Sequence, residues 1–597
     1  MDDGGQLPRR TTTPLAPLGR PPQAAVSSDR AMPLFADLDR RFHAAEGQLT
    51  SGGSPLALWL ASVDWAAHMA NAPFRRSALG VEAGAQWLRF WQGALGGDSV
   101  QPSPGDHRFG DPQWKALPFN LYEQAFLLMQ EWMETATKGV PGVNPENERL
   151  VNFAARQWLD IFSPSNSPWI NPEVLRATTE KGGQNFVEGL ENFMADLAKV
   201  SSNPEGEPDS GLKVGRDLAV TPGQVVFCND LIELIQYSPQ TGTVRAEPVL
   251  ITPAWIMKYY ILDLSPHNSL IRYLVEQGYT VFCISWRNPG ADLRDVPFDA
   301  YRSDGLMTAI DAVSAIRPGV KIHACGYCLG GTLLAIGAAT MARDGDDRLA
   351  DITLFCAQTD FTEAGELQLF TTEEQVSFLE DVMARQGYLD GRQMGSAFEL
   401  LRSRDLIWSR LLKSYWLGEK DQPNDLMTWN DDATRMPARM HSEYLRTLFL
   451  RNDLAEGRLL AGGRAISIGD IRAPLFVVST ETDHVAPWRS VYKINLLNEG
   501  EVTFVLTTGG HNAGIVSEPG HPHRSFHIQT RAADAGYVGP DEWAASAERR
   551  EGSWWLAWQA WLDARSGAQD MAPPTMGATG RGYAPLRDAP GKYVLER

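Results

Sequence analysis

Cysteine is scarce in this chain, and long apolar runs are missing from it. Only five of the 597 residues are cysteines, and they stand at positions 228, 283, 325, 328 and 356. This odd number without regular spacing predicts no disulfide framework and a reducing compartment. No uninterrupted apolar run approaches the roughly 20 residues that a transmembrane helix requires, and the first residues lack the pattern of a signal peptide. We therefore expect neither secretion nor membrane insertion.

Basic residues are outnumbered by acidic ones. Lys and Arg total 54 against 73 for Asp and Glu, which gives a formal net charge of −19. Such a charge repels phosphate backbones, so nucleic acid is not an expected partner. An anionic ligand would need a local basic patch, and one segment contains Arg402, Arg404, Arg410 and Lys413. A solvated helix face is the favoured interpretation of these four residues.

The most informative motif is a Gly-x-Cys-x-Gly turn at positions 326–330. The strand-like stretch Val320 to Ala324 precedes it, and the helix-prone stretch Leu333 to Met341 follows it. A turn of this kind between a strand and a helix is the nucleophile elbow of an α/β-hydrolase fold, here with Cys328 in place of the usual serine. The N–H groups and the dipole at the helix start favour a thiolate over a thiol at this position.

The acid and the histidine of this fold follow the nucleophile in the chain, each on a loop after a strand. Asp483 comes after the strand-like stretch Pro474 to Ser479, and His511 comes after the stretch Val502 to Thr507. Side chains at these strand ends can converge on the elbow, so with the elbow cysteine they form the predicted catalytic triad. Asp360, which follows an earlier strand-like stretch, is the alternative acid.

Strand-like and helix-like stretches alternate from Pro248 to Ala324 at the spacing of right-handed βαβ units. This alternation predicts an α/β fold with a mostly parallel, doubly wound sheet. One of its helices is predicted to begin with Ser265 as the N-cap and Pro266 in the first turn.

Three regions are predicted along the chain. Residues 1–32 are rich in Pro, Thr, Ala and Gly and are expected to be disordered. Residues 33–205 have helical spacing with many aromatics and are expected to form a helical N-terminal domain. Residues 206–597 are expected to form the catalytic domain, and the segment at about 362–465 is too long for one crossover, so it is predicted to be a helical cap insertion.

Several sequence runs together resemble the polyhydroxyalkanoate synthases. They are GYCLGGT at 326–332, SWRNP at 285–289, KYYILDL at 258–264, DHVAPW at 483–488 and GHNAGI at 510–515. The resemblance extends from about Pro204 to the last residue, and the length of the chain is more similar to the single-subunit class that acts on short-chain substrates. Asn512 departs from the family pattern, because an apolar residue is expected beside the histidine. This departure leaves the predicted triad intact.

The resemblance implies that the chain polymerises (R)-3-hydroxyacyl-CoA, with 3-hydroxybutyryl-CoA as the expected substrate, and releases CoA through a cysteine thioester. His511 would take the proton of Cys328, and Asp483 would orient His511. The backbone N–H groups of Leu329 and Ile256 are expected to hold the oxyanion. The implied partners are the growing polyester and the granule surface, with granule-associated proteins and a second copy of the chain in a homodimer. The implied location is the cytoplasm, at the surface of polyhydroxyalkanoate granules.

Two other functions stay open at this stage. One is a cysteine-dependent hydrolase of thioesters or esters with the same fold, in which water is the acceptor. The other is an inactive scaffold on the granule surface. We expect no cofactor and no bound metal, because His521, His523 and His527 lack supporting ligands at a suitable spacing.

Overall fold

Seven helices make up the N-terminal part of the described chain. The structure, a computed structural model, describes residues 28–50, 52–103, 105–202, 211–420 and 424–597. The helices are α1 (Ser28–Leu49), α2 (Pro55–Ala70), α3 (Pro73–Ala94), α4 (Phe119–Thr137), α5 (Pro145–Ile161), α6 (Pro172–Glu180) and α7 (Gln184–Ser202). Most of the segment predicted to be disordered lies outside the described residues, as does the predicted domain boundary at 205. Helix α1 begins at Ser28, before the predicted start of the helical region.

The second part begins with the alternation of strands and helices that the sequence predicts. In chain order its elements are β1 (Gly223–Cys228), β2 (Ile232–Tyr237), β3 (Val249–Thr252), α8 (Leu270–Glu276), β4 (Val281–Trp286), α9 (Phe298–Ala300), α10 (Thr308–Ile316), β5 (Ile322–Tyr327), α11 (Leu329–Asp344) and β6 (Leu349–Phe355). The prediction that Ser265 caps a helix is wrong. Ser269 is the N-cap of α8, and its Oγ accepts a hydrogen bond from the Arg272 N–H at 2.9 Å.

A largely helical segment separates β6 from the next strand of the main sheet, where the cap is predicted. It contains α12 (Glu373–Gln386), β7 (Tyr388–Leu389), α13 (Gly391–Leu401), α14 (Asp425–Asp431), β8 (Met436–Pro437), α15 (Ala438–Tyr444), β9 (Leu460–Ala461) and β10 (Arg464–Ala465). Its strands form two short antiparallel pairs, β7 with β8 and β9 with β10. We call this segment the inserted segment.

The remaining elements complete the main sheet. They are β11 (Leu475–Thr480), α16 (Trp488–Tyr492), α17 (Ile494–Leu497), β12 (Val502–Thr507), β13 (Ser525–Arg531), α18 (Pro540–Ser546), β14 (Glu548–Glu551), α19 (Trp555–Asp563) and β15 (Arg587–Asp588). The sheet has eleven strands in the order β14-β13-β12-β11-β6-β5-β3-β4-β2-β1-β15. Its centre, from β4 to β12, is parallel, and antiparallel strands flank it on both sides.

Burial explains why the central strands are almost continuously apolar. Strands β3, β4, β5, β11 and β12 are buried along their whole length, as is typical of parallel strands that are covered on both faces. The Phe355 ring at the end of β6 packs against Trp554 and Trp558, with centroids 4.9 and 5.1 Å away. No helix among the described residues is long and apolar enough to cross a bilayer.

Hydrogen bonds join the N-terminal region to the inserted segment. The Gln375 side chain on α12 accepts from the Ser54 N–H at 2.8 Å and donates to the Gly52 carbonyl at 2.6 Å. On α7, the Asn192 amide donates to the Ser414 carbonyl at 3.0 Å. Because these acceptors and donors are backbone groups, the contacts fix the path of the chain as well as the side chains.

Candidate active site

Cys328 forms the sharp turn between β5 and α11. Its backbone angles are φ 53° and ψ −126°, a region that non-glycine residues rarely adopt and that commonly marks a functional site. The Cys328 N–H donates to the Phe355 carbonyl at 2.8 Å, and the Cys328 carbonyl accepts from the Gly331 N–H at 2.9 Å. These bonds hold the strained residue between β6 and the first turn of the helix.

The glycines around Cys328 are needed for steric reasons. A Cβ at Gly326 would lie 2.4 Å from the Gly331 Cα, and one at Gly331 would lie 2.5 Å from the Ala357 Cβ. The Gly331 Cα is a backbone atom and the Ala357 Cβ moves only with its backbone, so neither can move away as the end of a long side chain can, and a larger residue would distort the elbow. The structure therefore confirms the predicted turn at the level of atomic contacts.

The other two predicted catalytic residues form a buried pair. His511 Nδ1 lies 2.7 Å from Asp483 Oδ2. The second carboxylate oxygen of Asp483 accepts the N–H groups of Val485 and Ala486 at 2.9 and 2.8 Å. The Asp483 side chain is 0% exposed, whereas that of His511 is 12% exposed. His511 is therefore the member of the pair that a substrate can reach.

The interactions within this pair favour a negatively charged Asp483 and a positively charged His511. Burial opposes ionisation of Asp483, but the His511 charge and the hydrogen bonds to the carboxylate outweigh it and lower the pKa of Asp483 below its usual value. Burial also acts to lower the pKa of His511, but the Asp483 carboxylate outweighs it and raises the pKa of His511 well above its ordinary value. An imidazole with a raised pKa is suited to take a proton from a thiol.

Cys328 lies near this pair but is not bonded to it. The Cys328 thiol contributes to the raised pKa of His511, which places the two groups within electrostatic range. Within the described residues no hydrogen bond joins the Cys328 sulfur to the His511 ring. Catalytic hydrogen bonds are often long in the absence of substrate and shorten only when substrate binds.

Sequence reasoning missed two neighbours of the pair. The Tyr327 hydroxyl donates to Asn512 Oδ1 at 2.6 Å, so Asn512, the departure from the family pattern, fixes a buried tyrosine beside His511. The sulfur of Cys356 lies within 4.8 Å of ligand atoms of both Asp483 and His511. Cys356 also has a positive φ of 47°. Cys356 directly follows β6, and its approach to the pair results from the place of β6 between β5 and β11 in the sheet.

A cavity of about 150 Å³ opens beside the thiol. Its wall includes Cys328, Leu329, Ile256 and Cys356, together with apolar side chains of the inserted segment such as Phe449. Thr50, Gly52 and Gly53 from the N-terminal region also line it. All three regions of the described chain thus contribute to one cavity.

The two predicted oxyanion donors both belong to this wall. Leu329 is the first residue of α11, and Ile256 lies in the loop after β3. In the part of the chain that the structure describes, neither N–H has a protein acceptor. The Ile256 carbonyl accepts from the Thr434 N–H at 3.5 Å, so the inserted segment supports this loop. Unpaired N–H groups of this kind can stabilise a developing negative charge.

The remaining sequence candidates lie elsewhere. Asp360 accepts from the Thr362 N–H at 2.9 Å and lies 3.5 Å from Lys493, while Asp483 pairs with His511. Among the basic residues, Arg404 pairs with Asp160 at 3.0 Å and Arg410 pairs with Asp196 at 2.8 Å. Both arginines join the inserted segment to the N-terminal helices, and the Arg410 side chain is 53% exposed, as the interpretation of a solvated face predicts, whereas that of Arg404 is 28% exposed.

The fold and the strained elbow define the class of protein. A parallel sheet with its nucleophile position at a strand-to-helix turn, and a His–Asp pair after later strands, is an α/β-hydrolase fold, and here a thiol occupies the nucleophile position. The family model described as the alpha/beta hydrolase fold matches residues 247–518.

Comparison with known proteins identifies the family. The model described as the N-terminus of poly-beta-hydroxybutyrate polymerase (PhaC) matches residues 105–274, and a second N-terminal model of poly-beta-hydroxybutyrate polymerase matches residues 33–75. A poly(3-hydroxyalkanoate) polymerase of Methylorubrum extorquens is 41% identical over 525 residues, which cover 87% of this chain and 86% of that protein. The poly(3-hydroxyalkanoate) polymerase subunit PhaC of Cupriavidus necator is 34% identical over 570 residues, 94% of each chain. The chain belongs to the poly(3-hydroxyalkanoate) polymerase family.

Proposed function

We propose that this protein polymerises (R)-3-hydroxyacyl-CoA, and 3-hydroxybutyryl-CoA in particular, into a polyester with release of CoA. The observation that carries the proposal is the strained Cys328, which lines an apolar cavity near the buried His511–Asp483 pair. The family membership supports the same reaction, since the curated relatives are named poly(3-hydroxyalkanoate) polymerases.

In the first step the acyl group moves from CoA to the protein. His511 takes the thiol proton, the Cys328 sulfur attacks the thioester carbonyl, and the bond between that carbonyl and the CoA sulfur breaks. The proton leaves with CoA. The N–H groups of Leu329 and Ile256 stabilise the oxyanion of the tetrahedral intermediate. Exchange of one thioester for another is nearly isoenergetic, so loading is reversible.

In the second step the 3-hydroxyl of another hydroxyacyl unit attacks the thioester carbonyl, and an oxygen ester forms as the Cys328 sulfur leaves. We assign the hydroxyl proton to His511, because Asp483 has no free oxygen to receive it. One Asp483 oxygen accepts two backbone N–H groups, and the other is bonded to His511. The proton then returns to the sulfur. Transfer from a thioester to an oxygen ester is downhill, which drives elongation.

Incubation with 3-hydroxybutyryl-CoA tests this proposal. A polymerase yields free CoA together with an insoluble polyester. A cysteine hydrolase would yield CoA and free 3-hydroxybutyrate, and a scaffold would yield neither. Quantifying CoA, soluble acid and polymer in one reaction separates the three functions, and soluble acid as the main product would overturn the proposal.

We propose further that the protein acts in the cytoplasm at the surface of its polymer, as a homodimer. The N-terminal helices expose large apolar side chains, for example Phe74, Trp87 and Leu88, which are 88, 62 and 63% exposed. Large apolar side chains that are exposed in number on one part of a protein are typical of an interaction site. Replacement of Trp87 and Leu88 by Ser should reduce co-sedimentation with polyester particles, and sedimentation velocity would establish the oligomeric state. Unchanged co-sedimentation would show that α3, the helix with Trp87 and Leu88, does not contact the polyester.

A further inference from the structure

His441 is a buried polar residue in the cavity beside the thiol that the proposed chemistry does not use. It lies on α15 of the inserted segment, lines the cavity together with Cys328, and is 3% exposed. Its Nδ1 is buried without a hydrogen-bond partner among the described residues. Burying an imidazole nitrogen without a partner costs roughly 1–3 kcal/mol, so an apolar residue would be the more stable choice here. The other ring nitrogen, Nε2, is not among the buried unpartnered atoms and is the one that can meet a ligand in the cavity.

The protonation state of His441 defines what it can bind. Burial lowers the pKa of His441 to about 3, so the ring is neutral at neutral pH. A neutral imidazole has one N–H donor and one acceptor nitrogen. Because Nδ1 is enclosed by protein, Nε2 is the nitrogen that remains to meet a ligand. The tautomer with hydrogen on Nε2 is favoured, since an unpartnered lone pair is tolerated better than an unpartnered N–H.

His441 belongs to the part of the cavity wall that the inserted segment forms. Its ring packs 5.8 Å from the ring of Tyr444, which also lines the cavity beside Cys328. Around these residues the wall is apolar, with Met436, Leu445 and Phe449. A hydrogen-bond donor in a mainly apolar part of a cavity wall can recognise an oxygen carried by an otherwise apolar chain.

We propose that His441 is a specificity-determining residue, which donates a hydrogen bond from Nε2 to the oxygen on carbon 3 of the acyl chain held on Cys328. This inference rests on the proposed function. The oxygen is a hydroxyl in the first unit and an ester oxygen once the chain has grown. A site built to bond an oxygen discriminates strongly against an analogue that lacks it, because its own polar group is then left unpaired.

First-turnover release of CoA from three thioesters tests the inference. The substrates are 3-hydroxybutyryl-CoA, 3-acetoxybutyryl-CoA, in which the hydroxyl is an ester, and butyryl-CoA, which has no oxygen on carbon 3. In His441→Phe, which keeps the ring shape, the second-order rate should fall about tenfold for the two oxygenated substrates, as expected for one lost hydrogen bond. The rate for butyryl-CoA should change less than about twofold. A loss confined to the hydroxyl substrate would identify the hydroxyl of the first unit as the group that His441 binds.

Two further variants separate recognition from folding. His441→Gln retains an amide donor near the position of Nε2 and should keep the preference for oxygenated substrates. Met440→Leu changes a fully buried neighbour on the same helix that does not line the cavity and should leave the substrate preference unchanged. Thermal melting should show that His441→Phe is at least as stable as the wild type.

Failure of the proposed function and failure of the His441 assignment give different results in this experiment. If the wild type releases no CoA from any of the three thioesters, the proposed function is overturned, and the assignment of His441 is overturned as well. If the wild type is active and His441→Phe slows all three substrates equally, or slows none, the proposed function stands and the assignment of His441 is overturned.

Discussion

Gly330, in the first turn of α11, lies directly against the backbone of Thr252 at the end of β3. A Cβ at position 330 would be 2.2 Å from the Thr252 carbonyl oxygen and 2.4 Å from that of Pro253. Both oxygens are backbone atoms at the start of the loop that leads to Ile256. The same close approach therefore positions both proposed oxyanion donors relative to Cys328.

This contact predicts a large effect of Gly330→Ala. The clash must separate the elbow from the loop after β3, so we expect CoA release to be lost and the free energy of unfolding to fall by roughly 3 kcal/mol. Gly337→Ala is the matched control on the same helix, since its Cβ would meet only the Cδ2 end of the Leu306 side chain. Urea denaturation and CoA release should show a smaller loss for the control. Equal losses would contradict the steric argument.

The two cysteines of the cavity wall should differ in reactivity. Burial raises the pKa of Cys356 to about 12, so this thiol stays protonated at neutral pH and is a poor nucleophile. We expect Cys328→Ala to abolish CoA release and Cys356→Ala to retain it. Mass spectrometry of the protein after brief incubation with acyl-CoA should find the acyl group on Cys328. Acylation that persists in Cys328→Ala would refute the assignment of the nucleophile.

The His511–Asp483 pair should make stability depend on pH. The pKa of Asp483 is lowered, so its contribution is present above about pH 4 and is lost as the pH falls through the folded-state value. The pKa of His511 is raised, so its contribution is fully present below about pH 6.5 and is lost as the pH rises through the folded-state value. The free energy of unfolding of Asp483→Asn should therefore differ most from the wild type between these limits, by roughly 3 kcal/mol.

Urea denaturation at a series of pH values measures this difference. Asp570→Asn, at an exposed aspartate, is the matched control and should follow the wild type throughout. A difference for Asp483→Asn that stays constant from pH 4 to well above pH 7 would show that the pair is not charged as the structure indicates.

The positions of Asp483 and His511 after strand ends could be predicted from the sequence, but the neighbours of this pair could not. Strand periodicity places Asp483 and His511 after strand ends, and such ends meet at one edge of a parallel sheet. The approach of Cys356 to this pair depends on which strands are adjacent, because β6 lies between β5 and β11. No local pattern reports that adjacency.

Tertiary contacts also explain the wrong helix start. Ser265 and Pro266 have the local pattern of a helix N-terminus. In the structure the Ser265 hydroxyl donates to Asp425 at 2.6 Å, a residue of the inserted segment far away in sequence. Ser269 takes the capping position instead. A capping motif competes with every other acceptor that the fold brings close.

The last residues of the chain should matter for catalysis through Lys258. This lysine is 3% exposed and donates to the carbonyls of Val594 and Glu596 at 2.8 and 2.5 Å. It lies two positions after Ile256, so its anchoring fixes the loop that carries one proposed oxyanion donor. Removal of residues 593–597 would leave a buried ammonium group without these acceptors, which is strongly unfavourable.

We therefore expect the truncated protein to release CoA about a hundredfold more slowly, as for the loss of one oxyanion donor. Lys258→Met removes the buried charge together with its bonds and should be less harmful than the truncation. Leu595→Ala, at a side chain that is 51% exposed, is the control and should behave as the wild type. Initial rates at saturating substrate rank the three variants. A truncated protein as active as Leu595→Ala would show that the loop after β3 holds its position without the C-terminal residues.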